Sequence, residues 1–239
     1  MFAARNFLAP VARASVRPQV ACIPVHIRRA SLRARIAAMS TVSDVIIHDH
    51  DELKNYYNEI LNSIDHDHQA RYGNQFVWEL ARHSVAEELI IYPAFEKYLG
   101  QEGKRMAESD RKEHHKLKEY LKEFQSMKVS HPDYIPKLKS LYTLLEQHIA
   151  EEERDDLPKF EKALNDEDGA SAKLATNFQR TKAFIPTRSH PSAGEVCSMI
   201  CIIEPKLMYN QNPAFESVMG LLAAPIDKLA DVFRKFPQK

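Results

Sequence analysis

Residues 83–99 of the chain read HSVAEELIIYPAFEKYL, and residues 148–164 repeat the pattern as HIAEEERDDLPKFEKAL. The two copies share a leading His, a Glu-Glu pair, a Pro and a Phe-Glu-Lys run, each displaced by 65 positions. His and Glu four residues apart lie on the same face of an α-helix. Each copy can therefore present one imidazole and one carboxylate to a single centre.

Each copy also has an upstream partner. Residues 49–54 read DHDELK before the first copy, and residues 113–118 read EHHKLK before the second. Both partners follow the pattern acid-His-x-x-Leu-Lys. The chain therefore contains one two-element unit twice, and each unit carries two histidines and a carboxylate at fixed spacing.

Apolar residues in both units recur at steps of three and four, which is typical of amphipathic α-helices. Four such stretches with short connections predict an all-α, up-down-up-down four-helix bundle over residues 44–165. The polar run 65–74, which contains Gly73, is predicted to be the first turn. Pro93 and Pro158 lie inside the second and fourth stretches. Each should kink or locally open its helix, because proline lacks an N–H.

The segments on either side of the bundle differ from it in composition. Residues 1–43 contain seven arginines and no acidic residue, which is typical of a mitochondrial transit peptide. The alternatives are an untargeted disordered tail, or an extension upstream of a cytoplasmic protein that begins at Met39. Residues 166–239 are predicted to form an irregular C-terminal tail with short helices near 172–184 and 215–236.

Overall composition excludes several classes of protein. Lys plus Arg equals Asp plus Glu, at 33 each, whereas a general nucleic-acid binder should carry a basic surface. The longest apolar runs are far shorter than the ~20 residues that span a bilayer, so no membrane span is predicted. Three cysteines do not make a disulfide framework.

The apolar stripe of each predicted helix is interrupted by polar residues at matching positions. Two carboxylates among four imidazoles would be costly in a bundle core unless a cation lay between them. Two histidines for each of two ions, with both carboxylates bridging, would leave coordination positions open for a small molecule. Nitrogen and oxygen ligands without cysteine suit iron or manganese, and zinc less exclusively. The six candidate metal ligands are His50, His83, Glu87, His114, His148 and Glu152.

The alternative interpretation is that these are surface residues of helices or hydrogen-bonded core histidines. Any one of these histidines, taken alone, would favour this alternative. Six residues at matching positions on four apolar stripes instead favour a metal site. His115 shares a face with charged residues and is expected to face water, which leaves His114 as the ligand. Glu88 and Glu153 are expected to project sideways as surface charges, or at best to contact a ligand.

At these residues the sequence resembles the hemerythrin-like, HHE cation-binding proteins, over about residues 44–164. Residues 181–191, TKAFIPTRSHP, look like the fungal branch of that family. The motifs that carry the resemblance are Asp49-His50-x-x-Leu53, His83-x-x-x-Glu87-Glu88 with Pro93, Glu113-His114-x-x-Leu117, and His148-x-x-x-Glu152-Glu153 with Pro158.

The resemblance implies a non-haem di-iron centre that binds oxygen, another small diatomic or a peroxide. It implies two iron ions as cofactor, with manganese or zinc as alternatives. It also implies that the same six residues are the metal ligands: His50, His83, Glu87, His114, His148 and Glu152.

The sequence departs from the family at one ligand position. Oxygen-carrying hemerythrins have a further His one turn beyond the third-helix ligand, where this chain has Lys118. One iron would then have an extra open site, and the two metal positions would be near equals. This favours sensing, redox chemistry or iron handling over bulk oxygen carriage. The alternative is a metal-storage or stress-response protein without turnover, and no specific catalytic activity is indicated.

The second departure is an insertion. Residues 194–211 interrupt what in the fungal relatives looks like a short connection into the segment that begins at Phe215. A retained intron or a gene-model error is one hypothesis for this stretch. Transcript reads that join Ala193 directly to the region of Asn212 would support it, and reads covering the insertion would refute it.

Overall fold

Helices dominate the part of the chain that the computed structural model describes, residues 41–190 and 223–238. No strand occurs within these two ranges, so the all-α prediction is confirmed. In chain order the α-helices are α1 Val42–Leu61, α2 His66–Ala86, α3 Tyr92–Leu99, α4 Gln101–Phe124, α5 Tyr134–Glu151, α6 Leu157–Leu164, α7 Ala170–Lys182 and α8 Ala224–Asp231.

The bundle is formed by α1, by α2 with its continuation α3, by α4, and by α5 with its continuation α6. Short connections make successive helices neighbours, and α1 packs on α2 as α4 packs on α5. None of the helices in residues 41–190 and 223–238 is long and apolar enough to cross a membrane. The predicted transit peptide at 1–43 and the insertion at 194–211 fall outside the described residues, apart from residues 41–43 at the start of α1.

The predicted turn at 65–74 is wrong, because α2 already begins at His66. Asp65 caps the helix by accepting a hydrogen bond from the N–H of Asp67 at 3.0 Å. The polar residues that resembled a loop form the first turns of a helix at the bundle surface. Gly73 lies inside α2, where a Cβ would come within 2.2 Å of the Tyr134 hydroxyl. It therefore allows two helices to approach closely instead of making a turn.

The prediction of local opening at the two prolines is confirmed. A π-helical turn, Glu87–Ile91, joins α2 to α3 just before Pro93, and a second one, Glu152–Asp156, joins α5 to α6 just before Pro158. Each π turn begins at the Glu of a candidate ligand pair. Such turns occur often at functional sites, because the extra residue changes the direction of the side chains that follow.

Buried apolar side chains form two clusters at opposite ends of the bundle. One contains Phe95, Phe160 and Phe178, and the other contains Phe76 and Phe124. Along each long helix the candidate ligands fall between residues of the first cluster and residues of the second. The bundle core is thus divided by a polar layer.

The chain after residue 165 packs on the bundle within the described ranges. Helix α7 lies against α1 and α2, and its residue Ser171 accepts a hydrogen bond from the N–H of Val42 at 2.8 Å. The segment 185–189 is buried. Thr187 ties this segment to α8 by donating its hydroxyl to Asp231 at 2.6 Å.

Candidate metal centre

The structure brings all six candidate ligands into the polar layer that divides the core. Each is at least 98% buried. Donor atoms of His50, His83 and Glu87 all lie within 4.8 Å of one another, and the same holds for Glu87, His114 and His148. Their function as metal ligands stays a prediction, but their convergence is a property of the fold.

The four histidines form two pairs, and the two members of each pair lie on neighbouring helices of the bundle. The rings of His50 on α1 and His83 on α2 have centroids 4.9 Å apart. The rings of His114 on α4 and His148 on α5 have centroids 4.7 Å apart, with their Nε2 atoms at 3.0 Å. One pair comes from each sequence repeat.

Each glutamate lies between the two histidine pairs. Glu87 Oε2 is 3.2 Å from His83 Nε2 in its own repeat and 3.4 Å from His114 Nε2 in the other. Glu152 Oε2 is 3.9 Å from His148 Nε2 in its own repeat and 3.4 Å from His50 Nε2 in the other. Each carboxylate thus lies within reach of a histidine from both repeats.

Several polar atoms that face this centre have no hydrogen-bond partner among the described residues. They are both carboxylate oxygens of Glu87, both of Glu152, and the Nε2 atoms of His50 and His83. Buried polar atoms without partners are rare and costly. Cations between the two carboxylates would satisfy these atoms, and the nitrogen and oxygen donor set suits a transition metal. The residues present therefore fit the cofactor that the motifs imply.

The outer nitrogen of every histidine in the centre meets a carboxylate. In a neutral imidazole this contact favours the tautomer in which Nδ1–H donates outward, so that the lone pair of Nε2 faces the centre. The four Nδ1 contacts are His50 with Glu153 at 2.8 Å, His83 with Asp49 at 3.3 Å, His114 with Glu88 at 3.3 Å, and His148 with Glu113 at 2.9 Å.

The expectation that Glu88 is a surface charge is therefore wrong, because its side chain is 4% exposed, whereas the side chain of Glu153 is 36% exposed. Both residues contact a candidate ligand, which was the second expectation. Each contacts a histidine of the other two-element unit. Glu88 binds His114, and Glu153 binds His50. The second Glu of each Glu-Glu pair marked these residues in the sequence. The repeat alone could not show which helix carries the histidine that this Glu contacts.

Two of the four outer carboxylates are paired with largely buried lysines. Lys118 Nζ lies 2.7 Å from Glu88 Oε2. Burial alone would raise the pKa of Glu88, but Lys118 and His114 outweigh it and lower that pKa to about 2. Lys182, at the end of α7, donates to both Asp49 and Glu79. Sequence reasoning did not find Lys182, because it lies outside both repeats.

Without metal, the two glutamates of the centre differ in the direction in which their pKa is shifted. Burial, followed by the charge of Glu152, raises the pKa of Glu87 well above its usual range. Burial also opposes ionisation of Glu152, but contact with His50 outweighs it and lowers the pKa of Glu152 to about 2. Burial alone would lower the pKa of His50, yet Glu152 and Glu153 together raise it to about 9. The metal-free centre at neutral pH thus holds a charged His50 beside an ionised Glu152.

Divalent metal binding at pH 7 is expected to release at least one proton per chain, because His50 must lose its proton before Nε2 can bind. The apparent affinity should rise by at least tenfold per pH unit up to pH 9, since each proton that is released contributes a factor of ten per unit. Calorimetric titration in two buffers with different ionisation enthalpies measures the release. A pH-independent affinity and no buffer dependence would contradict it.

In the metal-free protein the same raised pKa stabilises the fold below pH 6.5, and this contribution is lost as pH rises through 9.

Two further buried groups border the centre, and neither was predicted as a site residue. Asp110 lies one turn before His114, and burial with the charges of Glu152 and Asp156 raises its pKa to about 9. Tyr92 is fully buried, and its hydroxyl is 3.0 Å from His114 Nε2. By contrast, the side chain of His115 is 48% exposed, as expected.

The chain is similar to known proteins over the whole bundle. The hemerythrin HHE cation binding domain matches residues 41–160. A protein of Schizosaccharomyces pombe described as an uncharacterised hemerythrin-like protein is 49% identical over 199 residues, which cover 83% of this chain and 89% of that protein. A protein of Nostoc described as a DNA nickase is 26% identical over 147 residues, which cover 62% of this chain and 40% of that protein. No solved structure matches the chain significantly.

Proposed function

The chain belongs to the hemerythrin HHE cation-binding family, and on that premise we propose that it is a non-haem di-iron protein that binds or reacts with oxygen, a peroxide or another small diatomic. The observation that carries the proposal is the position of the two buried glutamates. Each lies between a histidine of one repeat and a histidine of the other.

The chain's own residues divide into two equivalent sets. His50 and His83 would hold one ion, His114 and His148 the other, and Glu87 with Glu152 would serve both. When bound, the pair of ions supplies one-electron redox chemistry and open positions for a small molecule. The outer carboxylates hold each imidazole in one orientation, and the two apolar clusters keep bulk water away from the layer.

Iron is the metal we propose, with manganese and zinc as outcomes of the test. Imidazole ligands suit both iron and zinc, and carboxylate ligands suit manganese. The groups of the centre are His and Glu, without a thiolate that would select zinc. Two carboxylates and four neutral imidazoles also leave the paired ions with a net positive charge. Anionic or reducible small molecules are therefore the partners that this centre would favour.

Sensing, redox chemistry or iron handling fits better than bulk oxygen carriage. Lys118 occupies the position of the family's further histidine, and its ammonium is paired with Glu88 instead of facing the ions. The alternative function is metal storage without turnover. We do not extend DNA cleavage to this chain, because the Nostoc protein shares only 26% identity and the match covers 40% of its length.

Metal analysis of the full chain after expression in iron-replete medium tests the proposal. We expect about two equivalents of iron per chain, and His115→Ala, one position from His114 on the exposed side of α4, should retain them. Less than about half an equivalent of any transition metal would refute a metal function, and two equivalents of manganese or zinc would refute iron.

Oxygen or peroxide added to the reduced, iron-loaded chain should then change its absorbance. Iron without any such response would favour storage over reaction with small molecules.

A further inference from the structure

A small cavity lies between α2, α4 and the segment 186–190 of the C-terminal tail. Its volume is about 20 Å³. One water-sized molecule needs about 10–15 Å³ of such space, so the cavity has room for a single small molecule and excludes organic substrates. Apolar side chains form most of its wall: Leu80, Ala81, Val85, Leu117, Leu121 and Pro186.

The cavity lies beside the polar layer that holds the candidate ligands. Leu80 precedes His83 by three residues on α2, and Leu117 follows His114 by three residues on α4. Three residues of an α-helix span about 4.5 Å along its axis. Leu80 and Leu117 belong to one apolar cluster, whereas Val85, just beyond His83, belongs to the other. The α2 wall of the cavity therefore passes the level of His83.

Three basic residues also line the cavity, but each directs its charged group to a partner. The contacts are Lys118 with Glu88 at 2.7 Å, His190 with Asp227 at 2.9 Å, and Arg188 with Asn74 at 3.3 Å. Arg188 Nε has no hydrogen-bond partner among the described residues, but this atom is itself buried and does not face the open space. Apolar cavities stay dry and take up apolar molecules. The cavity is thus suited to an uncharged occupant.

The outer wall of the cavity is fastened to α4 and to α8. Ser189 donates its N–H to Gln125 Oε1 at 2.9 Å and its hydroxyl to the carbonyl of Lys118 at 2.5 Å. On the other side, the N–H of Thr187 donates to Asp227 Oδ2 at 3.2 Å. The tail of the chain, and not the bundle alone, therefore separates this cavity from solvent.

We propose that this cavity is a docking site for one uncharged diatomic molecule, dioxygen or nitric oxide, and that the molecule enters the metal centre from it. Such a molecule fits the volume and needs no hydrogen bonds. A peroxide would lose its hydrogen bonds to water and find few replacements on an apolar wall. The inference rests on the proposed function and deepens it, because it selects the neutral gases from the small molecules named there.

The docking site can be tested without iron. Dissolved dioxygen is paramagnetic and speeds the relaxation of methyl groups that it approaches. In the full chain loaded with zinc, which is diamagnetic, we expect a several-fold larger oxygen-induced relaxation at Leu80, Leu117 and Leu121 than at Leu138 and Leu141. All five leucines are at least 98% buried, so burial alone predicts no such difference. Equal relaxation of the two groups would overturn the docking site.

Entry into the centre is tested with two variants that change the cavity in opposite directions. Ala81→Leu fills it, and we expect the reduced, iron-loaded variant to react with dioxygen several-fold more slowly than the wild type. Leu121→Ala enlarges it and should react faster, even if Ala81→Leu does not fold. Leu138→Ala removes an equally buried leucine outside the cavity wall and should react at the wild-type rate.

Iron content measured beside each rate keeps loss of metal apart from loss of access. Wild-type oxygen rates in both cavity variants at full iron content would overturn entry from the cavity. A wild-type chain without iron would refute the di-iron proposal, and the relaxation measurement would still decide the docking site.

Discussion

Glu87→Ala is expected to reduce bound iron from about two equivalents per chain to less than half an equivalent. Glu87 is fully buried, and its Oε2 lies within 3.4 Å of one histidine from each repeat. If Glu87 serves both ions as proposed, its removal would take a ligand from both positions at once, so that neither ion would keep its site. Metal analysis of the purified variant and titration of the metal-free variant with ferrous iron measure the loss.

The same substitution should abolish stabilisation of the fold by iron. A ligand present at 1,000 times its dissociation constant stabilises a protein by about 4 kcal/mol. The wild-type melting temperature should therefore rise when iron is added, and that of Glu87→Ala should not. Glu151→Ala, which removes an exposed carboxylate beside Glu152, is the matched control and should behave as wild type. Wild-type iron content in Glu87→Ala would contradict the ligand assignment.

Lys182→Met is expected to lower the free energy of unfolding of the metal-free protein by about 3–5 kcal/mol, the usual effect of removing one partner from a buried ion pair. Lys182 donates to Asp49 and Glu79, and all three side chains are more than 90% buried. Without the ammonium, two carboxylates are left close together in the interior. Urea denaturation followed by circular dichroism measures the change.

The effect should also reach the centre, because Asp49 holds the outer nitrogen of His83. If Asp49 moves away from His83 when its ammonium partner is lost, metal binding should weaken by about 10–100-fold, the usual effect of losing such an outer contact. Lys173→Met, on the exposed side of the same helix, should change neither stability nor metal affinity. If the free energy of unfolding of Lys182→Met is less than about 1 kcal/mol below that of the wild type, the buried ion cluster contributes little to stability.

The part of the centre that could be predicted from sequence is the part that periodicity and duplication define. His50, His83 and His114 lie on apolar stripes, and a stripe that should be buried identifies a polar residue as unusual wherever it occurs. Equal spacing in two copies then groups these residues with Glu87 and Glu152. All of this is local information, read within single helices.

What could not be predicted depends on contacts between distant segments or on departures from the regular helix. Glu88 follows Glu87 by about 100° on a helix, so its sideways direction was read as solvent, although another helix lies there. Lys182 reaches Asp49 from 133 residues away. Tyr92 follows a π turn and its hydroxyl contacts His114, and the regular helical period gives no such side-chain direction. The polar run at 65–74 has the composition of a loop, yet from His66 it forms the start of a mostly half-buried helix.

The crossed contacts of the outer glutamates have a consequence for how the protein is assembled. Glu88 of the first repeat orients His114 of the second, and Glu153 of the second orients His50 of the first. Neither repeat contains a complete half of the centre. The two repeats are thus related as the subunits of a symmetric dimer are related, in which each surface completes its equivalent on the partner. The single chain is a covalently joined pair, and a substitution in one half alters the environment of both.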